Sequence, residues 1–279
     1  MFNIKEMTKQ DFPFAVQLVN TMNWGMSIDD FLFSQKLEPE GCFVLLRDSE
    51  CIGIATNVIF DEVGWFGNFV IAKAFRGGGA GHFLLSHSIE FLRNKGVKTI
   101  GLYAYPNLVK FYENFGFKLD SNYLVMKGRI QVNQTMNLPL QASKSDIEAI
   151  VDFDRYYFGA NRGKLLESIL SHPDNLCYSI FKAGKIVAYV IAKVHQDLVE
   201  LGPLVCDSKQ LDAAVSLLNA ILGQLKGQKV FTCLSTNETS LVTLLSNAGC
   251  TKDFQVARMF LGAPVAKDCI YLAESLERG

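Results

Sequence analysis

The chain reads as an α/β fold used twice in tandem. Three observations predict this. Extended apolar runs alternate with amphipathic ones, and the order restarts after a polar stretch near residue 130. Three segments of the two halves match in order. Gly67-Asn68-Phe69-Val70 lies against Gly202-Pro203-Leu204-Val205, Lys95-Gly96-Val97-Lys98 against Lys226-Gly227-Gln228-Lys229, and the run Leu108 to Gly116 against Leu241 to Gly249. Finally, 279 residues suit two domains of roughly 140 each.

The elements follow in order. Ile4 to Met7 reads as a short strand, and Asp11 to Met22 as an amphipathic helix with Phe14, Val16, Leu18 and Val19. Ser27 is placed to cap a second helix with Asp29 and Asp30 in its first turn. Strands are expected over 43–47, 52–60 and 65–71, parted by polar turns at Asp48-Ser49-Glu50 and Asp61-Glu62. A glycine-rich loop follows, then a helix from Gly81 to Asn94 stopped by Lys95-Gly96. A strand over 97–103, a helix over 107–115 stopped by Gly116, and a strand near 123–127 close the first unit. The second half restarts with a helix after Ser145 and a short one over 165–170. A hairpin turns around Ala183-Gly184-Lys185, and a strand covers 199–205. Helix 211–225, strand 230–234 and helix 239–247 follow before Gly249.

Composition narrows the function. Hydrophobic residues make up 49% of the chain, enough for two cores, and the net charge of −1 gives no reason to expect a nucleic-acid partner. No apolar segment approaches the ~20 residues that span a bilayer, and the start lacks a basic-then-apolar leader, so a cytoplasmic protein without membrane partners is expected. Seven cysteines occur without a Cys-x-x-Cys pair, and the four histidines are scattered. Free thiols and no metal site are expected.

The chemistry gathers at Arg76-Gly77-Gly78-Gly79-Ala80-Gly81, between a strand and a helix. Backbone so free of side chains can turn successive N–H groups toward one anion, and the helix N-terminus adds its positive end. Arg76 adds a permanent charge. A nucleotide P-loop needs Lys-Ser/Thr after its last glycine, but His82-Phe83 stands there. A dinucleotide fingerprint needs a sixth-place glycine. Counting from Gly77 that place holds His82, and from Gly79 it holds Leu84.

What remains is Arg/Gln-x-x-Gly-x-Gly/Ala, with Asn107 and Tyr112-Glu113-Asn114-Phe115-Gly116-Phe117 downstream. Over about residues 2–128 this resembles the GNAT acyltransferase superfamily, whose members move an acyl group from coenzyme A to an amine. Trp24-Gly25, Asp154-Arg155, Phe158-Gly159-Ala160-Asn161-Arg162, Gly202-Pro203-Leu204 and Arg258-Met259 resemble tandem members in which a degenerate domain follows an intact one.

The resemblance implies GNAT-like domains, each a mixed, mainly antiparallel sheet flanked by helices. It implies an intact domain at 1–128, a linker at 129–139 and a degenerate domain at 140–279. Acetyl-CoA is the expected co-substrate. Its pantetheine arm would pair with Phe69, Val70 and Ile71 as an added strand does. Its pyrophosphate would meet Arg76, Gly77, Gly78, Gly79, Ala80, Gly81 and His82, with Asn107 beside the cofactor. Tyr112 is the candidate general acid. Trp24 is a substrate platform or a core residue. Glu62, with Asp61, is the nearest carboxylate to the central strand, and no base is assigned. The acceptor is expected to be an amine of a small molecule, peptide or protein.

In the second half, Asp207-Ser208-Lys209-Gln210 stands where the glycine loop would be, and Leu245 falls opposite Tyr112. The cluster of Asp154, Arg155 and Arg162 among aromatics would bind a carboxylate or close a salt bridge between the domains. Turnover in the first half is one expectation. An acyl-CoA-binding sensor without turnover is the other.

Overall fold

The computed structural model describes residues 1–132, 146–195, 198–266 and 268–279. The expected linker residues 133–139 and the cap Ser145 lie outside them. Contacts divide the chain into two compact units: Met1–Leu102 with Arg278, and Tyr103–Glu277 with Gly279.

The first unit holds β1 (Phe2–Glu6), α1 (Phe12–Asn20), α2 (Ile28–Leu37), β2 (Cys42–Arg47), β3 (Glu50–Phe60), β4 (Val63–Ile71), α3 (Ala80–Asn94) and the start of β5 (Thr99–Ala104). Its strands lie in chain order, β1-β2-β3-β4-β5, antiparallel except for the last pair. The local causes are visible. Asp48 and Ser49 take positive φ, the two-residue turn that matches strand twist, and close the β2–β3 hairpin. The Asp30 carboxylate accepts from the Ser27 N–H (2.7 Å) and hydroxyl (3.0 Å), closing the start of α2. Parallel β4 and β5 need a crossover, which α3 supplies, burying Leu84, Leu85 and Leu92. Helices α1 and α2 cover a core of Phe12, Leu18, Val19, Phe31, Val44, Ile54 and Val70.

The second unit holds α4 (Val109–Glu113), β6 (Lys118–Arg129), α5 (Ile147–Phe158), α6 (Gly163–Leu170), β7 (Leu176–Lys182), β8 (Lys185–Val194), β9 (Val199–Asp207), α7 (Leu211–Gln224), β10 (Lys229–Ser235), α8 (Thr239–Asn247), β11 (Cys250–Leu261) and β12 (Cys269–Leu272). Its sheet order is β11-β6-β10-β12-β9-β8-β7, with only β9–β10 parallel. The hairpin around Ala183-Gly184 forms as expected, both residues at positive φ. Helix α7 presses Ala214, Leu217, Leu218 and Ile221 into the main core.

Two features differ from expectation. Strand β6, expected to close the first unit, packs within the second, between β11 and β10. It runs twelve residues rather than five, long enough to use both edges. At Gly128 an added Cβ would sit 2.2 Å from the Gly249 carbonyl oxygen, so β11 passes hard against β6 there. Strands β11 and β12 were not foreseen.

The aromatic-flanked charges form a closed pair inside the second unit, not the salt bridge between domains that the sequence suggested, because α5 and α6 bring Asp154 and Arg162 together locally. Arg162 donates to both Asp154 oxygens, Nε at 3.0 Å and Nη2 at 2.7 Å, and both side chains are fully buried. Its Nη1 donates to the Tyr271 hydroxyl at 2.8 Å, and the guanidinium stacks 3.9 Å from the Phe158 ring centre. The Tyr189 hydroxyl donates to Asp154. Arg155 is exposed. Removing one partner strands the other charge without water. Arg162→Met is therefore expected to destabilise the protein by about 3–5 kcal/mol in urea unfolding. Adding Asp154→Leu to that variant is expected to restore part of the loss.

Candidate functional site

Strand β4 ends in a short 3₁₀ turn at Lys73–Phe75, and the glycine loop begins at once. Gly77 and Gly79 take φ of +82° and +84°, values that cost an L-residue roughly 1–2 kcal/mol. Gly79 caps α3 in this left-handed conformation. An added Cβ at Gly77, Gly78 or Gly79 would meet nothing within 4 Å, so the loop face lies open. The first helical bond runs from the Phe83 N–H to the Gly79 carbonyl at 3.0 Å. The N–H groups of Ala80, Gly81 and His82 precede that bond and point out of the helix end. A fifteen-residue helix thus presents its positive terminus behind an exposed glycine loop. This is a cradle shaped for a phosphate or pyrophosphate.

Beside the loop, β4 has an open edge. Its ladder to β5 consists of Val63↔Thr99, Gly64↔Ile100 and Trp65↔Gly101. On its other side, β3 continues to Ile71, across a bulge: Thr56 pairs with Gly67, then Ile54 with Val70. Asn68 sits in this bulge at φ +48°. A bulge adds a residue and bends the strand, and here it follows the point where the ladder to β5 ends. The Asn68 side chain is buried, and its Nδ2 donates to Thr56 Oγ1 at 3.2 Å while Oδ1 has no hydrogen-bond partner. Sequence reasoning used Asn68 only as part of a repeat and missed the bulge. Phe69 shares the bulge with Asn68, and Val70 and Ile71 lie beyond it, just before the loop.

Arg76 turns back rather than outward. Its Nε donates to the Ile71 carbonyl at 2.8 Å, and Nη2 stands 3.6 Å from Met22 Sδ. It ties the end of β4 to the segment after α1. Trp24 is half-buried and packs against the core cluster that contains Val70, as do Met22 and Ala72. The structure therefore gathers Trp24, Val70, Arg76 and the glycines at one end of β4. Glu62 stands at the other end, nine residues and roughly 30 Å from Ile71 along an extended strand. It is exposed and paired with Lys98 Nζ at 2.6 Å.

Tyr112 and Asn107 belong to the second unit by packing. Asn107 is exposed in a short 3₁₀ turn, Pro106–Leu108. Tyr112 is only 4% exposed, with the Phe111 and Phe117 rings 5.2 and 5.9 Å away. Burial pushes its phenol well above the usual range, so it stays protonated at neutral pH. The counterpart of the glycine loop is closed by its own acid. Asp207 Oδ1 takes the Lys209 N–H at 2.9 Å, its carbonyl takes the Gln210 N–H at 2.8 Å, and Asp212 occupies the first turn of α7.

Among the described residues no cluster of three or more metal-ligating side chains is found, and no helix is long and apolar enough to cross a membrane.

Comparison with known families identifies this fold. A model of the GNAT acetyltransferase family matches residues 5–117, and a model of the GNAT acetyltransferase domain matches 150–271. The chain belongs to the GNAT superfamily as a tandem member. Among curated proteins it is similar to serotonin N-acetyltransferase 2, chloroplastic, of Oryza sativa subsp. japonica, 37% identical over 66 residues. That match covers 24% of this chain and 32% of the relative, so the chain spans about a third of the curated protein's length.

Among solved structures, a proposed acetyltransferase from Pyrococcus horikoshii superposes with a TM-score of 0.83 at 19% identity, covering 100% of this chain and 96% of that one. A GCN5-related N-acetyltransferase from Sphaerobacter thermophilus superposes with a TM-score of 0.71 at 14% identity, over 95% and 98%. These two likenesses show the fold.

The loop geometry separates two neighbouring substitutions. Gly78 has space and an ordinary φ, so Gly78→Ala is expected to leave the melting temperature unchanged. Gly79→Ala forces an L-residue into the left-handed region and is expected to cost about 1 kcal/mol. Thermal unfolding of the two variants side by side checks this.

Proposed function

We propose that the protein is an acetyl-CoA-dependent N-acetyltransferase whose donor site lies in the first GNAT domain, residues 1–128, with residues 140–279 forming a degenerate partner domain. The observation that carries this is the bulged, one-sided end of β4 running directly into an open glycine cradle. The chain's residues fit the donor on physical grounds. The N–H groups from Gly77 to His82 offer a positive concavity to a pyrophosphate. The end of β4, Phe69 to Ile71, lies past its ladder to β5, which suits it to an extended pantetheine arm. Arg76 holds the end of that strand in place and adds positive charge beside the cradle. Asn107 is assigned to the donor from the family resemblance alone.

The reaction class is acyl transfer to a primary amine. The neutral amine nitrogen attacks the thioester carbonyl carbon, a C–N bond forms, the C–S bond breaks, and the coenzyme A thiolate departs. A backbone N–H at the β4 bulge is suited to the oxyanion that forms on the way. Tyr112 is proposed to hydrogen-bond the leaving sulfur. An ordinary phenol at about 10 and a thiol at about 8.5 already make full proton transfer uphill by about 2 kcal/mol. Burial raises that barrier further, which favours hydrogen bonding over transfer. The amine product carries the proton that the thiolate needs.

Trp24 is proposed as part of the acceptor wall, beside the end of β4. Glu62 is remote from that end, so deprotonation of the amine is left to water. The acceptor is an amine of a small molecule, peptide or protein. Serotonin is the first to test, from the similarity to a serotonin N-acetyltransferase. A cytoplasmic location is part of the same proposal.

Calorimetry with acetyl-CoA on wild type and Gly79→Asp tests the donor site. Wild type is expected to bind saturably. The variant is expected to lose binding, because a carboxylate would project into an anion cradle. Equal binding by both would refute the donor site. Thiol release on adding an amine separates turnover from mere sensing. Tyr112→Phe keeps the ring packing and removes the hydroxyl. It is expected to lower kcat roughly 10- to 100-fold, the worth of a hydrogen bond to a charged atom, with acetyl-CoA affinity unchanged.

A further inference from the structure

The two copies of the fold treat the same strand edge in opposite ways. In the first, parallel β4 and β5 pair over three residues, and their ladder stops at Trp65 while β3 pairs on to Ile71. In the second, parallel β9 and β10 pair at Val199↔Val230 and Glu200↔Phe231. Beyond that point β12 enters between them. It pairs antiparallel with β9 at Leu204↔Leu272, Val205↔Tyr271, Cys206↔Ile270 and Asp207↔Cys269, and with β10 at Leu234↔Leu272. The repeat match sets Leu204, Val205 and Cys206 against Phe69, Val70 and Ile71. The backbone edge assigned to the donor's arm in the first copy is therefore the edge that β12 occupies in the second.

Several contacts hold β12 there. Ile270, Tyr271 and Leu272 are all buried. The Tyr271 hydroxyl accepts from Arg162, whose charge Asp154 balances. The Ala273 N–H bonds the Cys233 carbonyl at 2.9 Å. Lys193 Nζ donates to the Glu274 carbonyl at 2.9 Å and pairs with its carboxylate. The fit against β9 is close enough to need a glycine. An added Cβ at Gly202 would lie 1.9 Å from the Ala273 carbonyl oxygen, and its φ of +154° already disfavours other residues.

We propose that β12 is a built-in strand ligand that takes the place of the pantetheine arm in the second copy, so that this copy binds no acyl donor and the chain takes up one acetyl-CoA. This rests on the reading that the arm pairs with Phe69–Ile71. The buried Arg162–Asp154 pair then anchors the strand that fills the groove. The second copy is sealed twice, at the loop by Asp207 and at the strand edge by β12.

Hydrogen exchange read by mass spectrometry, with and without saturating acetyl-CoA, tests this on the full chain. Peptides covering 204–207 are expected to be protected before any ligand is added and to change less than twofold on adding it. Peptides covering 69–71 are expected to slow at least about tenfold with ligand. Calorimetry is expected to give one site per chain. Gly202→Ala, which crowds the Ala273 carbonyl, is expected to speed exchange in 204–207 and 269–272 together, with 69–71 still responding to acetyl-CoA. Protection of 204–207 that appears only with acetyl-CoA, or a stoichiometry of two, would overturn the proposal while leaving the first donor site standing. No response at 69–71 where calorimetry shows binding would refute the pantetheine assignment, and the proposal with it.

Discussion

Two parallel strands that pair briefly and then part impose the central constraint on this protein. Every backbone N–H and C=O that leaves a ladder needs another partner. Beyond Trp65, the β5-facing edge of β4 has lost its ladder. The Asn68 bulge follows directly, and β3 stays paired with β4 across it through a one-residue shift of register. A bulge is a local strain, and it persists because Thr56, the β3 ladder and the buried Asn68 amide hold it. The functional reading follows from the need for a partner along that edge. An extended, amide-bearing ligand suits it better than a compact one.

The glycine loop solves a second problem at the same end of the strand. A ligand lying along β4 and carrying a pyrophosphate needs compensation for its charge where the strand stops. Two glycines at positive φ turn the chain abruptly into α3, so the helix terminus faces the loop. Arg76 helps in a way the sequence does not suggest. Its guanidinium is spent partly on the Ile71 carbonyl, the last acceptor of β4. It fixes the junction of strand and cradle, and its charge remains close to the anion site.

Much of this was legible in the sequence, and the reasons are local. The glycine run, the Ser27–Asp30 box, the Asp48-Ser49 turn and the Ala183-Gly184 turn each rest on conformational preferences of single residues. The repeat was legible because matched punctuation, Lys-Gly-x-Lys and the stops at Gly116 and Gly249, recurs in order. What escaped were features fixed by distant pairing. Strand β12 is four residues long, and nothing within Cys269–Leu272 says that β9 and β10 will part to receive it. Strand β6 was read as the end of one unit, but its partners β10 and β11 lie about a hundred residues later. The Asn68 bulge leaves no pattern at all, since one inserted residue looks like any other. Arg162 and Asp154 were visible as charges among aromatics, but only the fold shows that they neutralise each other.

Sealing the second copy also has a plain energetic logic. An open edge with no ligand exposes backbone and apolar side chains together. Filling it with Ile270, Tyr271 and Leu272 buries three large side chains, each worth about 1.5–3 kcal/mol when fully removed from water. It also gives a sheet of seven strands an uninterrupted interior. The first copy forgoes that gain. A resident strand with a buried arginine behind it, and a glycine thinned to let it pass, looks like a groove turned to structural use. The two copies of the fold thus differ in what lies beside a single strand: β12 pairs along the end of β9, and the β5 ladder stops short of the end of β4.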